Sequence, residues 1–280
     1  MGKFDRVLLA SDFDNTLVDT QGAIDAHSTD MRVCERNRKA LQYFMDNGGY
    51  FAVSTGRALP AFTDYVEDVP HNAPCILANG AALYDFRENR LLHTAYIGER
   101  IRAHMAEVFA AFPEASCEIY HEDRRIHAIH PNRYIKMHEH LTRTAAVVVE
   151  SFEEIDLPII KVLFEDDKPI LEEIERFILA QEWAEEYELI FSSESLLELT
   201  AKGVTKGEMV LRLADMLGVE RKDVYCVGDH KNDIPMLAVA AEGFAPSNCV
   251  PEVAASGATV LCHCRDGVIA DVIELLDTRY

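Results

Sequence analysis

The chain has 280 residues, with 27 Lys+Arg against 48 Asp+Glu and a formal net charge of −21 at pH 7. At roughly 150 residues per domain the length suggests two domains, and 49% hydrophobic with 27% charged residues is the composition of a folded protein with a real core. So acidic a balance argues against a nucleic-acid-binding face or docking on an anionic membrane, both of which need clustered positive charge; it leaves room for a small anionic ligand held by a metal ion and a few bases.

No stretch approaches the ~18 uninterrupted apolar residues of a membrane span, and the opening MGKFDRVLLASDFDNTL lacks the long apolar region of a secretory signal. Seven scattered cysteines, an odd number, suit reduced thiols better than a disulfide framework. The expected location is cytoplasmic.

In chain order, 6–12 reads as a short buried strand ending in acids, and a helix follows over about 31–47, stopped by Gly48-Gly49. Residues 50–54 and 74–78 read as two further buried strands. Strand, helix, strand at this spacing implies right-handed crossovers and a parallel sheet. The texture then changes: 84–190 carries alternating segments such as 117–121 and 125–130, with helices near 99–112 and 168–182, the look of an α+β unit. The βα rhythm is read as returning at 196–200, with a helix over 206–217 and strands at 224–229, 243–245 and 259–261. A terminal helix lies near 268–276. The expected fold class is therefore α/β: a Rossmann-like parallel-sheet core from residues 1–83 and 191–280, with an α+β domain of residues 84–190 inserted.

Ligands of open parallel sheets bind outside the carboxyl ends of the strands. Those ends carry Asp12-Phe13-Asp14-Asn15-Thr16, Ser54-Thr55-Gly56-Arg57 and Gly228-Asp229-His230-Lys231-Asn232-Asp233, and the helix after the insertion opens Thr205-Lys206-Gly207-Glu208. Uncompensated carboxylates gathered at one edge are costly without a cation, and hard oxygen donors favour Mg²⁺. Thr205 and Glu208 have capping-box spacing, which puts Lys206 in the first turn of a helix, beside an anion site.

These four segments, in this order, resemble the motifs of the haloacid dehalogenase superfamily, and within it the Cof-type sugar-phosphate phosphatases with a large inserted cap of the C2 type. Ile76-Leu77-Ala78-Asn79-Gly80-Ala81 and Asp266-Gly267-Val268 extend the likeness over nearly the whole chain. The resemblance implies that Asp12 is a nucleophile forming an aspartyl-phosphate and that Asp14 is the general acid and base. It implies that Thr55, Gly56, Arg57 and Lys206 bind the phosphoryl group. Asp12, the Asp14 carbonyl and Asp229 would hold Mg²⁺, with Asn232 and Asp233 completing or orienting that site. The implied partner is a small phosphorylated substrate, over which the inserted domain would close. His230 stands where the family often has glycine.

Two other readings use the same residues: a phosphomutase resembling phosphomannomutases, and a non-enzymatic phospho-aspartate receiver. The receiver needs no insertion and no Asp14. Cys262-His263-Cys264 lacks a second half-site and reads as a strand-end loop. The basic segment Arg124–Arg143, with His127, His130, His138 and His140, reads as a solvated face; the sharper alternative is contact with an anionic substrate through Arg124, Arg125 and Arg133.

Overall fold

The computed structural model describes residues 2–29 and 31–280. In chain order its elements are β1 (Leu8–Ser11), α1 (Thr20–Asp25), α2 (Glu35–Asp46), β2 (Tyr50–Val53), α3 (Leu59–Val66), β3 (Cys75–Leu77), β4 (Ala82–Asp85), β5 (Arg90–Thr94), α4 (Ile101–Ala111), β6 (Cys117–Tyr120), β7 (Ile126–Ile129), α5 (Arg133–Thr142), β8 (Val147–Val148) and β9 (Lys161–Glu165). They continue with α6 (Lys168–Leu179), β10 (Tyr187–Ser193), β11 (Leu196–Ala201), α7 (Lys206–Leu217), β12 (Val224–Val227), α8 (Ile234–Val239), β13 (Glu242–Ala245), α9 (Pro251–Ala254), β14 (Thr259–Val260) and α10 (Val268–Asp277). The chain divides into two compact units: Met1–Gly56, Tyr65–Leu92 and Thr205–Tyr280 in one, Arg57–Asp64 and His93–Val204 in the other.

The first unit is built on a five-stranded sheet in the order β14-β13-β12-β1-β2, parallel throughout. Every residue of β1 and β12 is buried, as expected of parallel strands covered on both faces. Leu8, Ala10, Ala52, Val224 and Cys226 point to one face and pack with Val210, Leu213 and Met236 of α7 and α8. On the other side α2 packs against α10 and β2. The chain leaves β1 toward β2 on one side, while β12, β13 and β14 run outward on the other. The C-terminal end of β1 is thus a topological switch point, where open sheets place ligands.

In the second unit a six-stranded sheet, ordered β10-β11-β9-β6-β7-β8, is antiparallel except for the β7–β8 pair. Strand alternation splits its faces. Cys117, Ile119, Val162, Phe164, Leu197 and Leu199 pack with Met105 and Val108 of α4 and Leu171, Ile174 and Ile178 of α6. The intervening positions carry Glu118, Tyr120, Lys161, Glu165 and Glu198, all buried.

Three sequence readings need correction. Residues 191–204 do not belong with the parallel sheet: β11 bonds antiparallel to β10 on one side and β9 on the other. A short apolar run reads alike as a parallel or an antiparallel strand, because only its hydrogen-bonding partners differ. Residues 84–92, expected in the insertion, stay with the first unit, through the three-stranded sheet β3-β4-β5. That sheet also takes β3 out of the parallel sheet: β3 pairs antiparallel with β4, touching the β2 end through a single parallel bridge, Ser54 to Ile76. Among the described residues no helix is long and apolar enough to cross a membrane.

Candidate active site

Asp12 leaves the C-terminal end of β1, where its N–H bonds the Val227 carbonyl of the neighbouring strand at 2.9 Å. That bond carries the sheet ladder one residue beyond the strand and fixes the backbone beneath the carboxylate. Lys206 arrives from another direction. Thr205 caps α7, its hydroxyl accepting from the Glu208 N–H at 3.2 Å, and this sets Lys206 as the first helical residue. Its fully buried ammonium donates to Asp12 Oδ1 at 2.5 Å and to Asp233 Oδ1 at 2.6 Å. The other oxygen of Asp233 accepts from the backbone N–H groups of Asp229 and His230, at 2.8 and 3.0 Å. Asp233 thus fastens the loop after β12 to the lysine.

Two glycines permit this packing. A Cβ on Gly228 would lie 2.3 Å from Asp233 Cβ, and one on Gly207 would lie 2.4 Å from the Pro235 carbonyl oxygen. Both positions need a residue without a side chain.

Asp12, Asp229 and Asp233 each offer an oxygen within 4.8 Å of the others, and all three are buried. Burial, reinforced by Asp233, pushes Asp229 up to about 7. Asp12 is raised well above the carboxylate range by burial; Lys206 opposes this, and Asp233, Asp229 and Asp14 add to it. Burial would lower Lys206, but Asp12 and Asp233 outweigh that and hold it above its ordinary value. Three buried acids around one ammonium leave an excess of negative charge, which a divalent cation offsets. The donors are hard oxygens, and Asn232 Oδ1, also buried, has no hydrogen-bonding partner. The cluster fits a divalent metal ion.

The remaining candidates are placed as follows. Asp14 accepts from the Thr20 hydroxyl at 2.7 Å. Thr55 is fully buried; its N–H bonds the Ile76 carbonyl and its own carbonyl accepts from Asn79 N–H. Asn79 in turn accepts from Asn232 Nδ2 at 2.9 Å, so Thr55, Asn79 and Asn232 form a chain of contacts. Gly56 closes the first segment of the first unit, whereas Arg57 belongs to the second, where its guanidinium reaches the Ala61 carbonyl at 3.4 Å. The structure thus brings together Asp12, Lys206, Asp229 and Asp233 directly, with Asn232 and Thr55 joined through Asn79.

Sequence reasoning missed several supporting residues. Thr16 donates to Asp229 Oδ1 at 2.8 Å, and Asn248 bridges the Asn15 carbonyl and the Cys264 N–H. Thr16 and Thr20 were within sight, since hydroxyls just beyond a strand-end acid are placed to bond it. Nothing local marks Asn248.

The basic segment is not a uniform solvated face. Arg125 pairs with Asp123 at 2.5 Å and Arg133 with Asp167 at 3.0 Å, so both are neutralised within the chain. His138 lies 2.8 Å from Glu118 Oε2; burial would lower it, yet Glu165 and Glu118 hold it up to about 10. Among the described residues, Cys262-His263-Cys264 is not part of any cluster able to hold a metal; His263 caps its own turn through the Arg265 N–H.

Comparison with known proteins agrees with this geometry. A sequence model of the haloacid dehalogenase-like hydrolases matches residues 9–273. Phosphatase YwpJ of Bacillus subtilis is 27% identical over 88% of this chain and 91% of its own length. A 5-amino-6-(5-phospho-D-ribitylamino)uracil phosphatase of B. subtilis, YwtE, is 23% identical over 97% and 99%. Among solved structures, a haloacid dehalogenase-like hydrolase from Bacteroides thetaiotaomicron shares the fold with a TM-score of 0.80 at 19% identity, over 97% of this chain and 100% of that one. A sugar phosphatase of the superfamily's subclass IIB also gives 0.80, at 20% identity over 97% and 99%. The chain belongs to the haloacid dehalogenase-like hydrolases, as a phosphatase of the Cof type.

Proposed function

We propose that this phosphatase hydrolyses small phosphorylated metabolites, sugar phosphates or similar monoesters, in the presence of Mg²⁺ and through an aspartyl-phosphate on Asp12. The observation that carries the reading is the Lys206 ammonium held between Asp12 and Asp233 in a buried acidic cluster at the switch point of the sheet.

In this reading an Asp12 oxygen attacks phosphorus and the bond from phosphorus to the ester oxygen breaks. Asp14, oriented by Thr20, gives its proton to the leaving oxygen. Water then attacks the phosphorus of the aspartyl-phosphate and gives a proton to Asp14, and the bond to Asp12 breaks to release inorganic phosphate. Lys206 neutralises charge on Asp12 and on the transferring group throughout, and Thr55, Gly56 and Arg57 bind phosphoryl oxygens. Asp12, the Asp14 carbonyl and Asp229 would hold Mg²⁺, with Asn232 completing the set and Asp233 orienting it. The bound cation would offset the excess negative charge and favour ionised Asp12 and Asp229.

The test is phosphate release from a panel of sugar phosphates, nucleotides and cofactor phosphates, including 5-amino-6-(5-phospho-D-ribitylamino)uracil, the compound in a relative's name. Each is run with Mg²⁺ and with EDTA, using wild type and Asp12→Asn. Metal-dependent turnover that vanishes in the variant is the expected result. Phosphoryl exchange between positions of a sugar bisphosphate without phosphate release would instead establish the mutase.

A further inference from the structure

The polar face of the six-stranded sheet holds a second cluster that the proposed chemistry does not use. Glu118 sits in β6 opposite Leu163 of β9, so Glu165, two residues further along β9, is its diagonal neighbour on the same face. Both carboxylates are 0% exposed. Glu165 Oε2 and Glu118 Oε1 have no hydrogen-bonding partner, and Glu165 Oε1 meets only His138, at 3.3 Å. Two like charges side by side in a core are unfavourable unless cations between them offset both.

The third member comes from α5. Asn132 caps that helix, accepting from the N–H groups of Tyr134 and Ile135, and its Nδ2 donates to the Glu165 carbonyl at 2.7 Å. The helix is thereby tied to the end of β9, and His138 is set over both acids. Its Nδ1 lies 2.8 Å from Glu118 Oε2 and 3.3 Å from Glu165 Oε1. One atom of each residue falls within 4.8 Å of the other two. Tyr120 donates its hydroxyl to Glu118 Oε2, the outer hydrogen bond that commonly orients a ligating carboxylate.

Charge decides what the cluster lacks. With a protonated imidazole and both carboxylates ionised the three groups sum to −1, so without a metal the cluster reaches neutrality only by keeping a proton on Glu165, which burial pushes up to about 7; a divalent cation with a neutral imidazole lets both carboxylates ionise at a sum of zero. One nitrogen and two carboxylates suit a borderline cation such as Zn²⁺ better than Mg²⁺ or Ca²⁺, which favour oxygen donors throughout. The part-exposed His138 edge leaves a path for entry.

We infer that Glu118, His138 and Glu165 form a second metal site, distinct from the Asp12 cluster, which takes one divalent cation of the Zn²⁺ class and cross-links α5 to β6 and β9. This inference is independent of the activity proposed above.

The test uses the full chain, stripped of metal and then held in excess Mg²⁺ to occupy the acidic cluster. Zn²⁺ is titrated in competition with a chromophoric chelator. One Zn²⁺ per chain is expected, bound equally by Asp229→Asn, with the dissociation constant raised about 100-fold or more in Glu165→Gln and His138→Gln. Saturating Zn²⁺ should raise the melting temperature of the wild type by several degrees but not that of Glu165→Gln. Should the variants fail to fold by circular dichroism, the Co²⁺ absorption spectrum of the wild type decides, since a nitrogen-containing site of low coordination gives intense visible bands. The inference is overturned by a wild type that takes no Zn²⁺ from the chelator, by unchanged binding in Glu165→Gln and His138→Gln, by loss only in Asp229→Asn, or by absence of the Co²⁺ bands.

Discussion

The Lys206 ammonium lies 2.5 Å from Oδ1 of Asp12, across 194 positions of sequence. The contact joins the start of α7 to the end of β1, and Asp233 completes it from a third segment at 2.6 Å. Much of the behaviour of the site follows from this arrangement.

Removing the lysine should cost more than removing the acid. In Lys206→Met, Asp12 and Asp233 are left buried without their cation, a loss of about 3–5 kcal/mol. Asp12→Asn keeps one ion pair and removes one repelling charge, so in EDTA it should be at least as stable as the wild type while losing about 10³-fold or more in turnover. Urea unfolding and phosphate release, run on both variants, check the two halves.

Asp233→Asn should act through position. An amide cannot accept from the Asp229 and His230 N–H groups and serve Lys206 as a charge partner as well. We expect kcat to fall about 10²-fold, with the Mg²⁺ concentration for half-maximal activity raised about 10–100-fold. A kcat and metal requirement equal to wild type would show that Asp233 positions neither group.

Gly228→Ala tests the close packing directly. The new Cβ would meet Asp233 Cβ at 2.3 Å, and backbone on one side and a twice-bonded carboxylate on the other limit relaxation. A loss of about 1–3 kcal/mol is expected, together with weakened activity, measured by thermal unfolding and steady-state rates.

The metal-free protein should lose stability as pH rises. Burial, with Asp233 adding to it, holds Asp229 up to about 7 in the fold, against 3.8 ordinarily. Between those values the folded state binds more protons than the unfolded one, so the contribution of Asp229 is fullest below about pH 4 and gone once pH passes about 7. Glu165, which burial also pushes up to about 7, contributes with the same sign. The check is therefore a difference: denaturation in EDTA from pH 5 to 8 should show a shallower decline for Asp229→Asn than for wild type, and excess Mg²⁺ should remove that difference.

The limits of sequence reading show in particular residues. The strand 196–200 was visible as apolar alternation, yet its sheet was not, because hydrogen-bonding direction leaves no mark on side-chain pattern. His138 looked like part of a basic surface run. It is instead matched to Glu118 and Glu165, each an acid interrupting an apolar strand, which was the available signal. Thr16 and Asn248 serve the site through bonds formed only after folding.

The family, and the residue types that the proposed site uses, were legible in short stretches of sequence. Phosphoryl chemistry needs an acid at a strand end, a base at a helix start and further acids at a second strand end, and each of these is a local pattern of few residues. Which of those groups meet was settled by folding. Asp12, Lys206 and Asp233 converge because the β1–β12 pairing and the start of α7 bring distant segments to one sheet edge. The structure also set the bounds of the larger segment of the second unit at His93 and Val204 and brought Glu118, His138 and Glu165 together. Such contacts depend on sheet register and on burial, where unpaired charge is most costly, and neither is written in any short stretch of residues.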